Sequence, residues 1–244
     1  MKYLVAFGCS HTNGSMLDGI AGSSYENTQR SFGGILAKRY GYKFYNISKP
    51  GGSNAYIHRC VVEYITHYMD KHAPQLFLIN WTSRPRMEFR YSQDTMGTHA
   101  HDTYGDFVDK KSVPFTVGSN PILFHDNRYG QLQKLSPYFL DPDVNSMRWA
   151  SWAFGLQFML DHMQIPYLMT NTCEGMPVIP GNKKIVEKLN LKKYIDPFDY
   201  NKCMLGYLTA KGYKKTECWH FREDGHNAWA KKLDKHLKDL GYVE

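Results

Sequence analysis

Two short segments at opposite ends of the chain carry the residue types of nucleophilic chemistry. The first is Gly8-Cys9-Ser10-His11-Thr12-Asn13-Gly14, which follows a short apolar run from Tyr3 to Phe7. A serine directly after a buried parallel strand sits at the C-terminal rim of a sheet, where open α/β folds place their sites. Glycine on either side lets the backbone turn sharply and lets a substrate approach. The second segment is Glu217-Cys218-Trp219-His220-Phe221-Arg222-Glu223-Asp224-Gly225-His226. A serine nucleophile needs a base to take its proton, and the base needs an acid to hold its tautomer. Glu217 and His220 are three residues apart, so one turn of backbone could bring carboxylate to imidazole. Asp224 and His226 offer a second acid and base pair. Each segment alone is weak, because the chain has 11 histidines and an isolated one is usually structural.

Such groups need a scaffold to bring them together. The run Tyr3 to Phe7 stops at Gly8 and reads as a fully buried parallel strand. The stretch Gly8 to Ser24 reads as a long loop. Ser31 to Tyr40 has helical spacing and is closed by Gly41. Lys43 to Ile47 reads as a second strand, ending in the turn residues Lys49-Pro50-Gly51-Gly52. The clearest helix spans about Asn54 to Lys71, with Ile57, Cys60, Val61, Tyr64, Ile65 and Tyr68 in one stripe. Leu76 to Ile79 is a third strand. Strands alternating with helices argue for an α/β sheet with right-handed crossovers. Helical periodicity returns from Ser146 to Met163, Ile165 to Thr170 is a fourth strand, and a last helix spans Gly225 to Leu240. Between them, Arg84 to Asp143 is polar and reads as an insertion in a single domain covering 1–244. A structureless loop of that length would be unusual, so it is expected to hold strands or short helices of its own.

Composition narrows the function classes. The chain has 244 residues, 42% of them apolar and 22% charged, as a folding chain does. Its net charge of +7 permits attraction to anionic partners but forms no basic run, so it does not point to nucleic acid. Five cysteines without a CxxC pair argue against a disulfide framework or a cysteine-rich zinc site, and for reduced thiols in the cytoplasm. The apolar start is too short for a signal-peptide core, and no run suits a membrane span. His99, His101 and Asp102 lack the spacing of metal ligands on a helix and read as structural or solvated. Trp149 and Trp152 read as core. No phosphate-binding or dinucleotide fingerprint is present.

Taken together, the end segments resemble the SGNH (GDSL-type) hydrolase superfamily. Its first block is Gly-Asp-Ser-x-x-x-Gly with that serine as nucleophile; here Gly8 to Gly14 matches, with Cys9 in place of Asp. Its second block is a glycine after strand two whose N–H serves the oxyanion hole, and Gly52 in Pro50-Gly51-Gly52-Ser53-Asn54 matches it. Its last block, Asp-x-x-His before a C-terminal helix, matches Glu217 to His220. The third block, Gly-x-Asn-Asp, is altered: Leu78-Ile79-Asn80-Trp81-Thr82-Ser83-Arg84 puts Thr82 at the oxyanion asparagine and Asn80 at the glycine. Arg84 or Arg86 could supply a donor or hold an anionic substrate group. The start and the Trp81-Thr82-Ser83-Arg84-Pro85-Arg86 segment also resemble a branch common in tailed-phage genomes, which would place the protein in host cytoplasm or virion.

The resemblance implies a three-layer α/β/α sandwich with a mainly parallel, flavodoxin-like central sheet. It implies a serine hydrolase, an esterase or O-deacetylase acting on a small acyl ester, such as one on a carbohydrate, with no cofactor and no metal. Ser10 would be nucleophile, His220 base and Glu217 acid, with Gly52, Thr82 and Asn80 around the oxyanion. The rival register makes His226 the base and Asp224 the acid. Acyl transfer to an acceptor other than water would use the same residues. From a different class, a weak or inactive module on this fold would bind a glycan or an anionic polymer.

Overall fold

A computed structural model describes residues 2–17, 24–69, 76–84, 86–90, 112–116 and 141–244. The elements run β1 (Tyr3–Phe7), α1 (Ser10–Asn13), α2 (Tyr25–Arg30), α3 (Phe32–Tyr40), β2 (Lys43–Asn46), α4 (Asn54–His67), β3 (Leu76–Trp81), β4 (Arg86–Arg90), β5 (Ser112–Thr116), α5 (Pro142–His162), β6 (Tyr167–Asn171), α6 (Lys183–Val186), α7 (Met204–Ala210) and α8 (Glu223–Asp239). Four strands form a parallel sheet in the order β2-β1-β3-β6. Its register pairs Leu4 with Phe44 and Leu76, and Ile79 with Met169.

Both faces of the sheet are covered, which is why its strands read as nearly continuous apolar runs. Alternate side chains go to opposite faces. Leu4, Ala6, Leu76, Leu78 and Leu168 pack with Phe32 and Leu36 of α3 and with Trp229, Leu233 and Leu237 of α8. Val5, Phe7, Phe77, Ile79 and Met169 pack with Ile57, Val61 and Tyr64 of α4 and with Trp149, Ala153 and Leu160 of α5. The result is a three-layer α/β/α sandwich around a parallel sheet. The chain leaves β1 over one face through α3 and returns to β3 over the other through α4. The C-terminal ends of β1 and β3 therefore flank the point where the winding reverses, the crevice that open α/β sheets use for ligands.

Local chemistry sets the helix boundaries. The Ser31 hydroxyl accepts from the Gly34 N–H at the start of α3, and Gly41, at φ 64°, ends it. The Ser53 hydroxyl accepts from the Tyr56 N–H at the start of α4. The start of α5 lies ahead of the expected Ser146, because Asp141 accepts from the Asp143 and Val144 N–H groups and Pro142 occupies the first turn. The expected loop after β1 contains α1. Within the expected insertion, β4 and β5 form a separate antiparallel pair. His99, His101 and Asp102 lie outside the described residues. Among the described residues, no helix is long and apolar enough to cross a membrane.

Candidate active site

The site is built where β1 ends. Gly8 leads into Cys9, which is extended at φ −103° and ψ −161°, and α1 begins at Ser10. A Cβ at Gly8 would lie 2.1 Å from Thr12 Oγ1 and 2.6 Å from Thr12 Cβ, so only glycine lets the chain fold back so tightly. Gly8→Ala should lower stability by about 1–3 kcal/mol. Adding Thr12→Ala should recover only part of the loss, because the Cβ contact remains; urea midpoints of the two variants check this. The turn is tied down by Asn13 Nδ2 donating to the Ser48 carbonyl (3.1 Å) and by Asn46 Nδ2 donating to the Thr12 carbonyl (3.2 Å). Gly14 closes it at φ 82°.

The second half comes from the chain before α8. Lys215 and Phe221 form an antiparallel bridge, and the Thr216 N–H donates to the His220 carbonyl at 2.8 Å. The Trp219 N–H donates back to the Thr216 carbonyl, with Trp219 at φ 63°. This tight turn presents the His220 ring to Ser10: Nε2 lies 2.8 Å from Ser10 Oγ, across 210 residues of chain. His11 stacks on the same ring, with centroids 4.5 Å apart and planes at 23°. Burial pushes His11 down to about 4, so it is a neutral plate against His220.

Burial also pushes His220 below the usual histidine range; Cys9 and the Cys218 carbonyl act the other way, and Arg86 opposes its charge further. The imidazole is therefore neutral near pH 7, the form a base needs. The turn that delivers His220 points the Glu217 side chain to solvent, and Glu217 makes no hydrogen bond to the ring. His220 Nδ1 is buried and meets no partner in hydrogen-bond geometry among the described residues. The carboxylate expected at Glu217 is thus not at the ring; the groups that favour its proton are Cys9 first and the Cys218 carbonyl second.

The rival pair goes elsewhere. His226 is 1% exposed, stacks on Phe32, and its Nδ1 accepts from the Phe32 N–H at 3.2 Å. Asp224 is exposed and accepts from the Gly225 N–H. Neither His226 nor Asp224 makes a bond to Ser10. The oxyanion candidates divide as well. The Gly52 N–H donates to the Lys49 carbonyl at 2.9 Å, closing a turn with Gly51 at φ 77°. Asn80 is buried within the sheet, its Oδ1 accepting from Thr170 Oγ1 at 2.7 Å and its Nδ2 reaching the Phe7 carbonyl at 3.4 Å. Thr82 has its backbone clamped by the Asn54 amide, and its hydroxyl lies 3.7 Å from Cys173 Sγ. The Ser10 N–H lies in the first turn of α1, where no intrahelical acceptor exists. Arg84 is bound to Glu174. Arg86 donates to the Gly52 carbonyl at 3.4 Å.

Two features escape the sequence. His11 follows the serine but nothing in its spacing predicts a stack on a ring 209 positions away. Cys173 stands just beyond β6, and nothing in its spacing predicts that its Sγ comes within 3.7 Å of the Thr82 hydroxyl.

The family DUF6071, described as a family of unknown function, matches residues 18–244. The chain belongs to that family. No curated protein matches its sequence. In three dimensions it is similar to a family two carbohydrate esterase from Clostridium thermocellum in complex with cellohexaose, at TM-score 0.52 and 13% identity, covering 99% of this chain and 65% of that one. An active-site mutant of a family two esterase from the same organism gives TM-score 0.50 at 13% identity, covering 99% of this chain and 64% of that one. The psychrotrophic esterase EstA from Pseudoalteromonas sp. gives 0.46 at 9% identity, with 98% and 97% covered. This member of DUF6071 thus has the fold of the SGNH-type esterases and spans about two thirds of the carbohydrate esterases it matches.

Proposed function

We propose that the protein is a serine hydrolase that cleaves a small acyl ester carried on a carbohydrate. The observation that supports this best is the 2.8 Å contact between Ser10 Oγ and His220 Nε2 at the winding reversal of the sheet. His220 takes the Ser10 proton as Oγ attacks the acyl carbon, returns it to the departing alcohol, and then activates water to release the acid. The Ser10 N–H and the Thr82 hydroxyl are the donors for the oxyanion; Gly52 joins them only if its turn opens. Arg86 is the cation available for an anionic group on the substrate. The His11 stack and the Thr216 bonds hold His220 in place; no carboxylate among the described residues meets its Nδ1 to stabilise the imidazolium.

The lack of a carboxylate at His220 Nδ1 among the described residues favours a second reading, a weak or inactive module that binds a glycan or an anionic polymer on the same surface. Intact-mass spectrometry after treatment with a fluorophosphonate separates the two. The hydrolase reading expects one adduct on the wild type and none on Ser10→Ala. An unlabelled wild type, or an adduct that survives in Ser10→Ala, overturns it; retained glycan binding by an unlabelled protein would establish the second.

A further inference from the structure

His11 follows the nucleophile in α1 and packs against the base. It is 6% exposed, and its ring lies on that of His220 with centroids 4.5 Å apart and planes at 23°. The turn that fixes Ser10 fixes His11 as well. The Asn13 N–H donates to the Cys9 carbonyl, the Ser15 N–H to the Ser10 carbonyl, and Asn13 Nδ2 to the Ser48 carbonyl. The edges of the His220 ring are used differently from its face. Nε2 lies 2.8 Å from Ser10 Oγ, and Nδ1 is buried with no partner in hydrogen-bond geometry among the described residues. On taking the Ser10 proton, His220 becomes a cation in a buried place. Burial and Arg86 oppose that charge, while Cys9 and the Cys218 carbonyl favour it. Arg86 and Lys215 also oppose a charge on His11, and burial keeps His226 of α8 neutral beside the pair.

We infer that His11 is a positioning residue of the Ser10–His220 pair: its neutral ring face holds the plane of His220 and stabilises the imidazolium that His220 becomes. Its use in catalysis rests on the hydrolase reading; the ring contact does not. An aromatic ring is negative over its face and positive at its edge, so a cation over the face is attracted. Near-parallel planes put the His220 charge over the His11 face and not at its edge. The attraction lasts only while His11 is itself neutral. Burial lowers His11 to about 4, and a charge on His220 works against its protonation further. Above that pH the two rings share one proton at most. It goes to His220, the ring that reaches Ser10.

The test compares the wild type with His11→Phe, which keeps a ring face, and His11→Leu, which fills the place without one. Magnetic resonance of the imidazole nitrogens follows the protonation midpoint of His220, and fluorophosphonate labelling follows Ser10. His11→Phe should keep the midpoint within about 0.3 pH units and the labelling rate within about twofold. His11→Leu should lower the midpoint by about 0.5–1 pH unit and slow labelling by about 3–10-fold. A merely structural role expects the two variants to behave alike, so equal midpoints in both overturn the inference. A wild type in which His11 gains its proton in the same step as His220 also overturns it, and that measurement needs no variant to fold. The two readings fail separately. An unlabelled wild type with the expected order of midpoints overturns the hydrolase reading and supports the ring contact. A labelled wild type with equal midpoints in the variants overturns the ring contact alone.

Discussion

His220→Ala is expected to slow fluorophosphonate labelling of Ser10 by about 10²–10⁴-fold, while Glu217→Gln leaves it within about twofold. The contrast follows from the turn between Lys215 and Phe221. It places Nε2 2.8 Å from Ser10 Oγ and leaves Glu217 in solvent. Without the ring, no other side chain among the described residues bonds Ser10 Oγ to take its proton. Without the Glu217 charge, the ring keeps its place, because stacking on His11 and the Thr216 bonds hold it. Burial lowers the His220 pKa, so the neutral, active form persists to lower pH than for a free histidine. The acid limb of the labelling rate should have its midpoint below the ordinary 6.5. His226→Asn should leave the rate unchanged. If Glu217→Gln falls as far as His220→Ala, the turn must close to bring that carboxylate to the ring, and a base held without it is wrong.

How much of this was legible depended on whether the signal was local. The parallel strands announced themselves through runs such as Leu76 to Ile79, because both faces of the sheet are covered. Helix α4 was legible because its apolar stripe and its Ser53 cap lie within one segment. The rim position of Ser10 followed from a strand that ends in glycine. The direction of a side chain in a tight turn was not legible. A three-residue spacing between Glu217 and His220 suits one helical turn, but Trp219 adopts a positive φ and Thr216 bonds back to His220, which turns the two side chains apart. Gly52 was legible as a turn glycine, but not the bond that its N–H makes to Lys49. Asn80 stood out in the altered third block, but its bond from the Thr170 hydroxyl, 90 positions away on the neighbouring strand, did not. Such a contact is set by strand order, and strand order is not written in any local pattern.

Acidification should destabilise the protein from about pH 6.5 downward, well before its carboxylates protonate. His226 and His11 are buried at 1% and 6% exposure, and burial lowers them to about 3 and about 4. In the unfolded chain both return to about 6.5. Below that value the unfolded state binds protons that the folded state refuses. Their stabilising contribution is therefore complete above pH 6.5 and is lost as pH falls toward the folded values. Each ring removes about 1.4 kcal/mol per pH unit, so together they remove about 3 kcal/mol per unit down to about pH 4. For a chain with a typical stability of about 5–15 kcal/mol this is a large share. Urea midpoints at pH 7, 6 and 5 would read it directly. The structural cause is specific. His226 Nδ1 must stay unprotonated to accept from the Phe32 N–H, an otherwise unsatisfied donor in the first turn of α3. Protonation would set N–H against N–H at the seam between α3 and α8. His226→Asn can keep an acceptor there without titrating, so its slope should be shallower by about 1.4 kcal/mol per pH unit. An unchanged slope in that variant would move the acid sensitivity elsewhere and leave the α3–α8 seam without its role as a proton-sensitive contact.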